Sequence, residues 1–234
     1  MAQPKTITGL VAALALLLLG PVSAGAAGSP QETVTAILAA ARAQQSVHYV
    51  TDARFGTFHT RMVCDVGRTR GIQRITFQSG GKTGTVTVLV VAGSAYLRGD
   101  SFVLTRYMGF KAAGSAGYAG TWVRIPRTDR HYAAVAEAVT LSSAIGELRL
   151  AGPLSALPET TIAGRRVLGI KGTTTGKPKV PEALYARAQG LPLPVGEIAS
   201  DGTAVVVTNL SGWNEAVHVA VPPHAAAIAT TGLE

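Results

Sequence analysis

A single cysteine, Cys64, stands among 234 residues. No disulfide framework is possible, so the fold must hold by its core alone. Aromatic residues make up 6% of the chain and charged residues 15%, with bases exceeding acids by 21 to 13. The five histidines (His48, His59, His131, His218, His224) have no H-x-x-x-H spacing. A zinc-type ligand set is therefore missing, and no metal site is expected. Neither G-x-G-x-x-G nor G-x-x-x-x-G-K-[ST] occurs, so no nucleotide fingerprint is present and no cofactor is expected. G-x-S-x-G is absent too. After the N-terminal segment, charges or Gly/Pro interrupt every apolar run before it nears the ~20 residues a spanning helix needs.

What is present begins with Lys5, followed by the apolar run Ile7–Leu19, the break Gly20-Pro21 and the small residues "VSAGAAGSP". That order is the form of a cleaved export signal, with Val22-Ser23-Ala24 and Ala24-Gly25-Ala26 as candidate cleavage sites. Residues 1–26 are expected to be removed and residues 27–234 to form one domain. The mature protein is expected to be soluble in a periplasm-like envelope space or secreted. A lipoprotein signal would end on cysteine. Cys64 lies far inside the chain, in "TRMVCDVG", and reads as a buried structural thiol.

Positive charge is concentrated. Between Arg54 and Arg130 twelve Lys/Arg face three acids, Asp65, Asp100 and Asp129. Such a block suits transient contact with an anionic membrane surface, or simply arginines on the solvent face of strands. Export argues against a nucleic-acid partner.

"QETVTAILAAARAQQ" (Gln31–Gln45) reads as a helix, because Val34, Ile37, Leu38 and Ala41 form one apolar stripe. Ser29 and Glu32 make a capping box, with Pro30 in the first turn. Strand-like runs follow: "SVHYVTDARFG", "TRMVCDV", "RGIQRITFQ" and "KTGTVTVLVVAG", with glycines at their ends. In the last, alternation puts Val86, Val88 and Val90 on one face and Thr85 and Thr87 on the other. Short connections imply antiparallel hairpins. Arg106–Gly120 reads as a glycine- and alanine-rich flap, Thr128–Val139 as a helix, and the residues up to about Pro158 as looser chain with "LSSAIGEL" helical. Strands return in "TTIAGRRVLGIKGTTT", "EALYARAQG", "PVGEIAS", "TAVVVTNL" and "AVHVAVP". The fold class is α+β: a large antiparallel sheet with helices on one face.

"AYLRGDSFVL" (Ala95–Leu104) contains an adhesion-like RGD, a GDSL-esterase-like "GDSF", and a pattern of strand, turn and strand. The esterase reading needs a D-x-x-H block, which does not occur, and a parallel α/β context. His218 instead sits in the strand-like "AVHVAV". The hairpin reading is preferred, with Gly99-Asp100 as the turn, Ser101–Thr105 as the returning strand and no catalytic residue.

"GSAYLRGD" followed by "AGTWVRIP", then "LPLPVGEIAS" and "LSGWNEAVHVAVPP", resemble the motif series of the LppX/LprG-type envelope proteins of actinobacteria, relatives of the LolA lipoprotein-carrier fold. The missing lipobox cysteine and Ala216, where proline is usual, depart from that pattern. The resemblance implies a curved, unclosed half-barrel whose concave face packs on helices around an apolar cavity. It implies carriage of a lipid or lipidated molecule, with the headgroup at the mouth near arginines. Candidate cavity residues are Val34, Ile37, Leu38, Val86, Val88, Val90, Leu97, Val103 and Trp122. The alternative is a secreted, non-catalytic module that docks on an envelope partner by its basic surface.

Overall fold

In the computed structural model, residues 28–176 and 178–227 are described; the expected leader lies outside them. Helix α1 (Pro30–Arg42) starts where the sequence places it. Ser29 Oγ accepts from Glu32 N, the Glu32 carboxylate accepts from Ser29 N at 2.7 Å, and Pro30 occupies the first turn. Its stripe of Val34, Ile37, Leu38 and Ala41 is buried.

Five strands follow as a meander: β1 (Ser46–Phe55), β2 (Phe58–Gly67), β3 (Gly71–Ser79), β4 (Lys82–Val91) and β5 (Ser94–Gly99). After the helices α2 (Ser101–Tyr107) and α3 (Ala112–Tyr118), β6 (Val123–Pro126) joins the free side of β5. Short helices α4 (Tyr132–Val135) and α5 (Leu141–Glu147) lead to a second meander, β7 (Ala151–Ile162), β8 (Arg165–Thr173), β9 (Pro181–Arg187), β10 (Pro194–Ser200) and β11 (Ala204–Ser211). The two meanders join through β1 and β11, giving one unclosed sheet in the order β12-β6-β5-β4-β3-β2-β1-β11-β10-β9-β8-β7. Every pairing is antiparallel except β12 (Ala226–Ala227) with β6. This is the expected α+β architecture.

Helices and the apolar core share the inner face. One core cluster joins α1 and α5 to Val47, Tyr49, Cys64, Ile170, Leu184 and Leu210. A second joins the valines of β4 to Leu97, Val103, Leu104 and Ile125. On the outer face stand Arg54, Arg61, Arg74, Arg98 and Arg124, all exposed. They alternate along their strands with the inner residues.

Four local readings of the sequence are corrected. Ser101–Thr105 is not a returning strand but most of α2. Asp100 is its N-cap, with Oδ1 accepting from Val103 N at 2.9 Å and Oδ2 from Thr85 N at 2.5 Å. Local capping outweighs the strand preference of Phe102 and Val103, and α2 packs directly on β4 at Gly84. A Cβ there would lie 2.4 Å from Val103 Cγ2. The helix expected over Thr128–Val139 shrinks to Tyr132–Val135, and beyond its cap Ala138 turns the chain with φ +57°.

The third correction is at the C-terminal end. "AVHVAVP" forms no strand; it is an extended strap across the outer face. Asn214 anchors it, accepting from Gln45 N and donating to Gln44 Oε1. Val219 and Ala225 then cover Leu89, Val91 and Tyr96. Beyond α5, β7 begins at Ala151, inside the stretch read as loose chain. Its Pro153 and Pro158 are tolerated because it is an edge strand.

Candidate functional site: an acid-floored cavity on the inner face

Space remains on the inner face where small or polar residues replace the large aliphatics. Along β9, β10 and β11 the inward positions are Glu182, Glu197, Ala199, Val206 and Thr208. With Tyr49 and Leu148 they line a cavity of about 400 Å³, roofed in part by Thr174–Gly176. A second cavity, about 580 Å³, runs along β3 and β4 past Ile75, Val88, Tyr107 and Met108. Both volumes fall in the range of small-ligand sites. Met62, Ala138 and Glu147 border both, so the cavities adjoin. Glu137 and Glu147 also border a wider opening of about 920 Å³, where Arg68 and Arg127 stand.

The Ala138–Val139 segment between the two cavities is held in place. Tyr49 Oη donates to Ala138 O at 2.5 Å. At Gly71 a Cβ would come within 2.1 Å of Val139 O, so only glycine lets this segment lie on β3. Thr140 and Ser143 then form a capping box that starts α5. At the far end of the second cavity Tyr107 stacks on Phe77 with centroids 4.4 Å apart, and Phe58 and Phe102 complete an aromatic cluster.

Burial dominates the electrostatics. It pushes the Tyr49 hydroxyl far up and the Cys64 thiol up to about 11. Cys64 is fully buried between Tyr49 and Gln73, as expected of a structural thiol. Burial, then the neighbouring Glu182 carboxyl, pushes Glu197 up to about 10. Glu147 is raised by burial and then by Glu137 and Glu182.

The residues named from sequence are dispersed. Val34, Ile37 and Leu38 are packed in the first core cluster, and Val86, Leu97 and Val103 in the second. Val88 borders the second cavity and Val90 the wider opening. Trp122 is on the outer face beneath the strap, with the Arg98 guanidinium 5.9 Å from its ring centroid. Arg98 and Asp100 of the RGD string are thus occupied in outer-face packing and in a helix cap. Ser101 heads α2, while His218 is exposed on the strap.

Sequence reasoning missed Glu182 and Glu197. The available signal was their phase: Glu182 alternates with Leu184 and Ala186, both inward and buried.

No protein-family model and no curated protein sequence matches the chain. Among solved structures its fold is similar to that of LprF from Mycobacterium bovis, at 15% identity over 82% of this chain and 96% of that one, with a TM-score of 0.54. It is likewise similar to the lipoprotein LppX of Mycobacterium tuberculosis, at 14% identity over 83% of this chain and 100% of that one, TM-score 0.53. The motif resemblance therefore holds at the level of the fold.

Proposed function

We propose that this protein is an exported carrier that holds a lipid or acyl chain between the sheet and its helices. The adjoining cavities at Met62, Ala138 and Glu147 carry this reading. Their walls are mainly apolar, and the shared residues bring the space beside β10 next to the space beside β4. Each methylene withdrawn from water into such space contributes roughly 0.8 kcal/mol, so useful affinity needs no reactive group. LppX is a lipoprotein, and the fold it shares with this chain fits the same reading.

In this proposal residues 1–26 act as the export signal and residues 27–234 as the working domain. Among the described residues no helix is long and apolar enough to cross a membrane. The outer-face arginines offer a transient electrostatic contact with an anionic membrane surface.

Native mass spectrometry of protein purified from its own host tests the reading. Co-purified lipid that leaves on organic extraction is the expected result. Protein that comes away ligand-free, and takes up no acyl chain when offered phospholipid vesicles, would overturn it.

A further inference from the structure

The exposed arginines of the outer face stand one to a strand: Arg54 on β1, Arg61 on β2, Arg74 on β3, Arg98 on β5 and Arg124 on β6. The strand register sets them in a single oblique row. Arg54 pairs with His59 and Arg61 with Thr76, so Arg61 is diagonal to Arg54, and Arg74 to Arg61. Arg74 and Arg98 both pair with Thr87 of β4, so a threonine stands between two arginines on one cross-strand line. Arg124 pairs with Tyr96 and is diagonal to Arg98. Diagonal neighbours are roughly 7–8 Å apart, and the step across Thr87 spans two strand spacings, roughly 10 Å.

Little on these strands neutralises the row. β3, β4, β5 and β6 contain no acidic residue. Asp100, which follows β5, is engaged in capping α2. Among the described residues only Arg61 of the five has an acid partner, Asp52. Two others are steadied without loss of charge. Arg124 Nε donates to Ser94 Oγ at 3.1 Å, and the Arg98 guanidinium lies 5.9 Å from the Trp122 ring centroid. The row is a line of uncompensated cations, whose mutual repulsion a bound polyanion would relieve.

Its shape selects the kind of polyanion. A flat bilayer needs charges near one plane, but strands far apart in the sheet order share a core on the inner side, so the outer side is convex. Membrane docking also draws on apolar anchors, and no large apolar residue of β2 to β6 is exposed. A membrane can thus touch part of the row in passing, whereas a flexible chain can follow all of it. The same strands expose no aromatic ring on which a nucleic-acid base could stack. A carboxylate gives both oxygens to one guanidinium fork. A phosphate has oxygens left for a threonine hydroxyl beside that fork.

We infer that the oblique arginine row is a docking track for a flexible, linear phosphate polymer lying across β1 to β6. The inference does not depend on what the cavities hold.

Fluorescence anisotropy with labelled long-chain polyphosphate tests it, with tripolyphosphate and phosphatidylglycerol vesicles as competitors. The polymer should bind, and tripolyphosphate, too short to span the row, should compete roughly tenfold or more weakly per phosphate. Arg74→Gln combined with Arg98→Gln removes both neighbours of Thr87. This change should weaken polymer binding roughly tenfold and lower the slope of log affinity against log salt by about 2. Arg165→Gln combined with Lys171→Gln removes the same charge from exposed positions of β8 and should leave both readouts as they were. Equal losses in the two double variants, or tripolyphosphate binding as tightly as the polymer, would overturn the inference. Binding to vesicles but not to polyphosphate would overturn it too, and make the row a membrane contact. Tighter binding of single-stranded DNA than of polyphosphate would assign the row to nucleic acid instead. Acyl-chain uptake should be the same in both variants as in the parent protein, so the carrier reading is tested separately.

Discussion

The two halves of the inner face solve the same burial problem differently. From β4 to β6 the inward residues are mainly aliphatic, and α2 lies directly on β4 at Gly84, so Val86, Leu97, Val103 and Leu104 are tightly packed. From β9 to β11 the inward residues are Glu182, Glu197, Ala199 and Thr208, and α5 covers only part of them. The first half is filled where α2 covers β4 and opens only past Val88, whereas the second opens along the inward phase of three successive strands. A row of valines is therefore weak evidence of a cavity: Val86 is packed, while Val88 and Val90 of the same row border open space. Small and polar residues in the inward phase of a strand mark where the packing stops.

Truncation in the packed half should break this contrast most visibly. Leu97→Ala is expected to cost about 2–5 kcal/mol and, at roughly 2–4 °C per kcal/mol for a chain of this size, to lower the melting temperature accordingly. Ligand capacity per folded molecule should stay as it was, as measured by native mass spectrometry.

A smaller effect is expected from charge in the second half. The folded protein holds the Glu197 proton up to about pH 10, whereas an unfolded chain releases it near 4.5. Between those values the folded state binds more protons, so stability falls as pH rises. This contribution is complete below about pH 4.5 and gone above about pH 10. Glu197→Gln should flatten the melting profile across that window, with a gain of about 1–3 kcal/mol at its alkaline end. A profile as steep as that of the parent protein would argue against the buried pair.

Filling the open space of that half should be gentler still on the fold. Ala199→Leu adds bulk to the wall between the two glutamates. It should raise stability by about 0.5–2 kcal/mol, as cavity filling commonly does, while acyl-chain binding drops. Loss of stability with ligand binding intact would mean that the second half is packed after all. The smallest effect belongs to Ser101→Ala at the exposed head of α2. Melting should move by less than ~0.5 kcal/mol, and ligand retention should not change.

How legible this was depends on range. The capping box at Ser29 and Glu32, the stripe of α1 and the valine alternation of β4 are local patterns with one physical meaning, and each is read directly. "GDSFVL" has two local meanings. Gly-Asp opens a hairpin or caps a helix, and the contact between α2 and Gly84 decides, 18 or 19 residues away in sequence from Phe102 and Val103. The strap keeps its alternation, with Val217 and Val219 partly buried and His218 exposed. Its partner is the covered outer face of β4 and β5, which no pattern within the strap reveals. The Glu182–Glu197 pair has no spacing of its own and exists only through the β9–β10 register. Trp122 lies on the outer face and not in the expected cavity wall for a related reason: a tryptophan next to a strand signals burial, and it can be buried on either face.

The seam between β1 and β11 has a consequence for the order of assembly. Ser46–Phe55 finds its second neighbour only in Ala204–Ser211, so almost the whole chain must emerge before the two meanders can meet. Contacts this distant in sequence make folding slow, and until the seam closes each meander exposes an unpaired edge open to association with other chains. The strap secures the junction last: Asn214 ties the residues after β11 to Gln44 and Gln45 just ahead of β1. A chain cut short before Asn214 would lose this latch at the point where its two halves join.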